Sequence, residues 1–130
     1  MAANTSPIFE LAPFLKGDTL TDADTTVAKI LVTGGASGTR IDSLMCSTND
    51  TAAVNLRFYV DNGAADLYLG VVALAIGSGY TTVARVEGMT TLSPSLGYLV
   101  LPSASELKVS CLATMTNAKV TTVVAQGGDY

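Results

Sequence analysis

The sequence contains no histidine and no tryptophan, and only two cysteines. The missing histidine removes the usual general base and the commonest metal ligand. Cys46 and Cys111 lie 65 positions apart with no partner at zinc spacing. Each sits inside an apolar run, RIDSLMC or LKVSCLA, where a cysteine behaves as a small buried hydrophobe. They could in principle pair, but two free core thiols are expected of a protein made in the cytoplasm.

Charge is also scarce. Only 14% of residues are charged, against 48% hydrophobic, where about 25% charged is usual. Seven basic residues face eleven acidic ones, for a net charge of −4. The basic residues are scattered, the nearest pairs (Lys29 and Arg40, Lys108 and Lys119) being eleven positions apart. Nucleic-acid binding needs clustered lysine and arginine to displace counterions, so no nucleic-acid partner is expected. The longest apolar stretch, Leu67–Ile76, has ten residues, too few to cross a bilayer as a helix, so no membrane partner is expected. The opening MAANTSPIFEL lacks the basic and apolar regions of a secretory signal. With a mean hydropathy of +0.42, the apolar surplus is best explained by burial between subunits, since a solitary soluble chain breaks up such patches.

What the sequence does have is a period of two. In Val54–Val60, Val54, Leu56, Phe58 and Val60 fall on one side and Asn55, Arg57 and Tyr59 on the other, the pattern of a half-buried strand. Asp61-Asn62-Gly63 then supplies a turn tolerant of positive φ, and Asp66–Ala75 returns. Further strands are expected at Ala28–Thr33, Arg40–Cys46, Thr81–Glu87, Gly97–Leu101, Leu107–Cys111 and Lys119–Ala125, the last ending at Gly127-Gly128. Gly70–Ile76, rich in alanine, could instead be a short helix. Asp18–Thr26 reads as an exposed acidic loop. About eight strands, frequent threonine and no ten-residue helical pattern indicate an all-β, single-domain antiparallel sandwich, jelly-roll-like. Residues 1–15 form an N-terminal arm or edge strand, and residues 16–130 the sandwich domain.

Several motifs invite a chemical reading. Lys29–Gly38 (KILVTGGASG) looks like the strand and glycine-rich turn with which short-chain dehydrogenases cradle a dinucleotide. Arg40 stands where the third glycine belongs, Ile41–Cys46 reads as strand rather than helix, and no tyrosine is followed four residues later by lysine. No cofactor is expected, and the segment reads as a loop. Asp18, Asp22 and Asp24 could attract calcium, but the glycine and terminal glutamate of a calcium loop are missing, so a solvated loop is expected and no metal site. Asn4-Thr-Ser6 and Asn49-Asp-Thr51 match the glycosylation sequon, which has no meaning without a secretory signal. No catalytic residues emerge, and the chain is expected not to be an enzyme.

Asn4-Thr-Ser-Pro-Ile-Phe9, Thr39-Arg-Ile-Asp42, Leu56–Gly63 and the closing Gly127-Gly-Asp-Tyr130 resemble a family of small proteins encoded by tailed bacteriophages and prophages among their virion structural genes. The resemblance implies a capsid decoration, or cement, protein made in the host cytoplasm. Such a protein binds the major capsid protein on the outer surface of the expanded head, commonly as a homotrimer at local three-fold positions. It steadies the lattice against internal DNA pressure. The acidic charge balance suits an outer surface that does not face DNA. On this reading the expected contacts are Ile8, Phe9 and Phe14 in the arm, with Asp129 and Tyr130 at the other end. The alternative is a tail, fibre-base or host-surface-binding β-sandwich module. Its carbohydrate-binding version would want exposed aromatics, and aromatic residues of any kind are only 6% of the chain.

Overall fold

The alternation in the sequence becomes two layers in a computed structural model that describes residues 12–130. Among the described residues nine strands form: β1 Ala12–Thr21, β2 Lys29–Thr33, β3 Thr39–Thr48, β4 Val54–Asp61, β5 Asp66–Leu74, β6 Val86–Glu87, β7 Leu99–Leu101, β8 Glu106–Cys111 and β9 Val120–Asp129. One sheet runs β1-β9-β3-β6, with β7 also paired to β3, and the other runs β2-β8-β4-β5. Every pairing is antiparallel.

The pairings nest. The first strand lies beside the last, β2 beside β8, β3 beside β6 and β7, and β4 beside β5. The cross pairs β9·β3 and β8·β4 then stitch these hairpins into two sheets. This is the strand order of a jelly roll. The very short β6 and β7 share one position beside β3, which is why nine strands occupy the place of eight.

Inward-facing residues of both sheets meet in the middle, the alternation of β3 changing phase at the irregularity between Ile41 and Ser43. Ile41, Leu44, Cys46, Val123 and Ala125 come from one sheet, and Leu56, Phe58, Val72, Leu107 and Val109 from the other. Full burial of a side chain the size of Phe58 contributes roughly 1.5–3 kcal/mol. The polar residues in this core are partnered: the Thr121 hydroxyl donates to Thr48 Oγ1 at 3.0 Å and approaches Met115 Sδ at 3.3 Å. Among the described residues no buried side-chain nitrogen or oxygen lacks a partner.

The expected β4–β5 hairpin forms as read. Asp61 Oδ1 accepts from Gly63 N–H and Asn62 Oδ1 from Ala64 and Ala65 N–H, while Gly63 takes φ +87. Gly70–Leu74 is strand, not helix, with a bulge at Leu69.

Three local readings are corrected. Asp18–Thr21 is not loop: β1 continues through it, each residue paired with β9 up to Thr21 opposite Val120. That ladder partner lies a hundred residues away and overrides the polar local composition. Only Val86 and Glu87 of the expected Thr81–Glu87 strand are extended. The Thr81 hydroxyl and the Tyr80 and Thr81 N–H groups all donate to the Gly77 carbonyl, closing a compact loop in place of a strand. β9 does not stop at Gly127-Gly128 but runs through both to Asp129. A five-residue helix, α1 (Gly88–Leu92), also appears, its first turn held by Glu87 Oε1, which accepts from Met89 N–H.

Candidate interaction surfaces

The glycine-rich segment after β2 is a structural joint. Gly34 N–H donates to Ser105 O at 2.7 Å, and Gly34 O accepts from Ala104 N–H at 3.1 Å. A Cβ on Gly34 would stand 2.1 Å from the Pro102 carbonyl oxygen, so glycine is needed for close approach. Gly35 N–H donates to Thr39 Oγ1 at 2.8 Å, and that hydroxyl donates in turn to Asp129 Oδ1. The chain then enters β3, with Arg40 opposite Gly128 on one side and Val100 on the other. The glycines therefore serve contact between loops at one end of the sandwich.

This joint engages the chain's last residues. Asp129 is half-buried against Thr39, and Tyr130 N–H donates to Gly38 O at 3.1 Å. Phe14 is half-buried, packs against the core and lies opposite Gly127, with the Lys16 ammonium 4.7 Å above its ring. Phe14 and Asp129 thus share one end of the β1–β9 ladder, where Ala12 pairs with Asp129. Ile8 and Phe9 lie outside the described residues. The span 12–15 belongs to the same strand as 16–21.

The other sequence candidates are also absorbed internally. Lys29 Nζ sits 3.3 Å from Asp24 and 3.7 Å from Asp18, and it donates to Thr19 O. Asp24 Oδ2 accepts from Thr21 N–H at 2.8 Å. That backbone bond and the Lys29 ammonium hold the Asp24 carboxyl below its usual range, against the opposing effect of burial. Asn49 Oδ1 accepts from Val120 N–H at 2.7 Å, fastening the β3–β4 loop to β9. Cys46 and Cys111 are free and buried. Burial, with Glu87 nearby, pushes the Cys46 thiol up to about 12, and burial, with Asp24 and Asp50 adding to it, raises Cys111 too. In both, burial favours the neutral thiol over the reactive thiolate. Among the described residues no three His, Cys, Asp or Glu side chains gather as metal ligands. No described helix is long and apolar enough to cross a membrane.

One polar junction had no signal in the sequence. Asp50 is buried, its Oδ1 accepting from Ala52 N–H at 2.9 Å and its Oδ2 from Thr116 N–H at 3.0 Å. It ties the β3–β4 loop to the β8–β9 loop. Burial alone would raise its pKa, but hydrogen bonds from Thr116, Ala52 and Thr51 win and lower it.

The surface left over is apolar in two places. On the outer face of the first sheet, Leu15, Met45, Val124 and Val83 line a groove of about 590 Å³ between β1 and the Gly77–Arg85 loop. On the outer face of the second sheet, Tyr68 is 65% exposed and Ile30 50%. Tyr59 and Tyr68 lie 5.4 Å apart, and the Arg57 guanidinium is 5.4 Å from the Tyr68 ring centre. The alternation of β4 had turned Arg57 and Tyr59 outward; Tyr68 could be placed beside Tyr59 only once the hairpin register was known.

No protein-family model matches the chain, and no curated protein shows significant similarity to it.

Proposed function

We propose that the protein is a structural virion component that decorates and stabilises the capsid of a tailed bacteriophage. It would bind the major capsid protein and other copies of itself on the outer surface of the shell. The observation that carries this reading is the division of labour among side chains. Thr39 with Asp129, and Asp50 with Thr116, are spent on internal joints, while Leu15, Ile30, Leu67, Tyr68 and Val71 stay exposed. A rigid sandwich with apolar outer faces suits holding proteins together. The resemblance of Asn4–Phe9, Leu56–Gly63 and Gly127–Tyr130 to phage virion proteins supplies the shell as the partner and three copies about a local three-fold axis as the expected arrangement. The jelly-roll order is compatible with this and serves many other functions.

The test is binding of the purified protein to expanded, undecorated heads of its own phage. Saturable binding that raises the temperature at which the heads release DNA is expected. Failure to bind heads, with binding instead to tails or host cells, would move the assignment to a tail or host-surface module. The contribution of Ile8 and Phe9 is measured by removing residues 1–11. Removal through residue 15 would take the start of β1 and Phe14 with it and confound binding with folding.

A further inference from the structure

The outer face of β4 and β5 has the make-up of an interface in miniature. Its centre is Tyr59, Tyr68, Val71 and Arg57, and its rim is Asp61, Asp66, Glu106 and Lys108. Interface centres favour tyrosine and arginine, and interface rims are polar. The rest of β5 is uncharged from Leu67 to Leu74 and contains no proline. The other sheet edges are shielded by Pro13, Lys16 and Asp18 on β1, by Lys29 on the short β2, or by the brevity of β6 and β7.

The charges on this face are incomplete in a specific way. Lys108 pairs with Asp61 at 3.0 Å. Among the described residues Arg57 has no carboxylate within ion-pair distance and Asp66 no cation, while Glu106 shares Lys108 with Asp61 at longer range. Register places Asp66 beside Asp61 at the hairpin end of the face and Arg57 beside Val71 further along. Measured along β4, from Asp61 opposite Asp66 to Arg57, the unmatched acid and base are four residues apart, about 13 Å at strand rise. A surface with opposite unmatched charges separated along its length complements itself after a half-turn, and the ladder midpoint between the Asp61–Asp66 and Arg57–Val71 pairs is the Tyr59–Tyr68 pair. The bulge at Leu69 and the Leu92 side chain close to Gly70 break up the β5 edge, so the complement lies over the face and does not extend the ladder.

We propose that this face is a self-association surface, on which a second copy of the chain packs antiparallel about a two-fold axis near Tyr68, with Arg57 of each copy against Asp66 of the other. The proposal stands apart from the capsid reading and can fail while that reading holds.

Sedimentation equilibrium over a range of concentrations tests it. The wild-type chain should form a dimer or an even multiple. Arg57→Asp and Asp66→Arg should each weaken that association by about tenfold or more, and the double reversal should restore it. Tyr68→Ser, at an exposed position, should weaken it without lowering the melting temperature, which guards against a reversal that merely unfolds the chain. A monomer at all concentrations, an isolated trimer, or an association indifferent to both reversals would overturn the proposal. So would single-reversal losses that the double variant does not rescue.

Discussion

At the scale of single residues, Asp50 shows how a buried carboxylate can be structural without being catalytic. It accepts from Ala52 and Thr116 at once, joining two loops that no strand ladder connects. Replacing it with alanine removes the acceptor of two part-buried N–H donors, and Asp50→Ala should cost about 1–2 kcal/mol at neutral pH. Its pKa is lowered in the folded state, so the stabilisation is full above the ordinary carboxylate pKa, about 3.9. It is lost as pH falls through the lower folded value. Urea unfolding of both proteins at several pH values checks this. The gap between them should be widest near neutrality and narrow below about pH 4. Equal midpoints at neutral pH would mean that the junction contributes nothing.

At the scale of elements, legibility followed the range of the interaction. β4 and its turn could be read directly, because alternation and the Asp-Asn-Gly sequence are local signals. β1 beyond Lys16 could not, because its polar residues are strand only by virtue of β9. Glycine misled at the end of β9. Gly127 looked like a strand end, but a Cβ there would lie 1.9 Å from the Arg40 carbonyl oxygen, so glycine is what lets β9 pass β3 near the register shift between Ile41 and Ser43. Gly127→Ala should force those strands apart and cost more than about 3 kcal/mol. Gly63→Ala, with open space around it but φ +87, should cost about 1 kcal/mol. Thermal denaturation of the two variants checks the order; a smaller loss at Gly127 would show that β3 gives way easily. Of the interaction surface, the outward placement of Arg57 and Tyr59 was legible. The neighbourhood of Tyr68, Asp66 and Asp61 was not, since it depends on cross-strand register.

At the scale of the whole molecule, the nested pairing makes nearly every ladder a long-range event. β1 must wait for β9, and β2 for β8; only β4–β5 closes locally. Chains of this kind fold slowly, because loop closure is costly before distant contacts repay it. Refolding followed by tyrosine fluorescence should fall in the millisecond-to-second range, and microsecond refolding would contradict the nested order. The same arrangement explains why the sheet pattern and the β4–β5 hairpin could be foreseen but the distant strand partners could not: alternation marks which residues face inward and carries no information on which distant strand they meet.

The pairing of Ala12 with Asp129 also decides how the molecule responds to force. Tension between these two residues pulls on adjacent antiparallel strands from the same end. The β1–β9 hydrogen bonds would then be loaded one after another, like the teeth of a zipper, and never all together in shear. The molecule is thus mechanically weak when drawn by those ends and much stiffer when squeezed or sheared across its sheets. A protein placed on a strained shell would have to carry load through its broad faces, with its ends left slack.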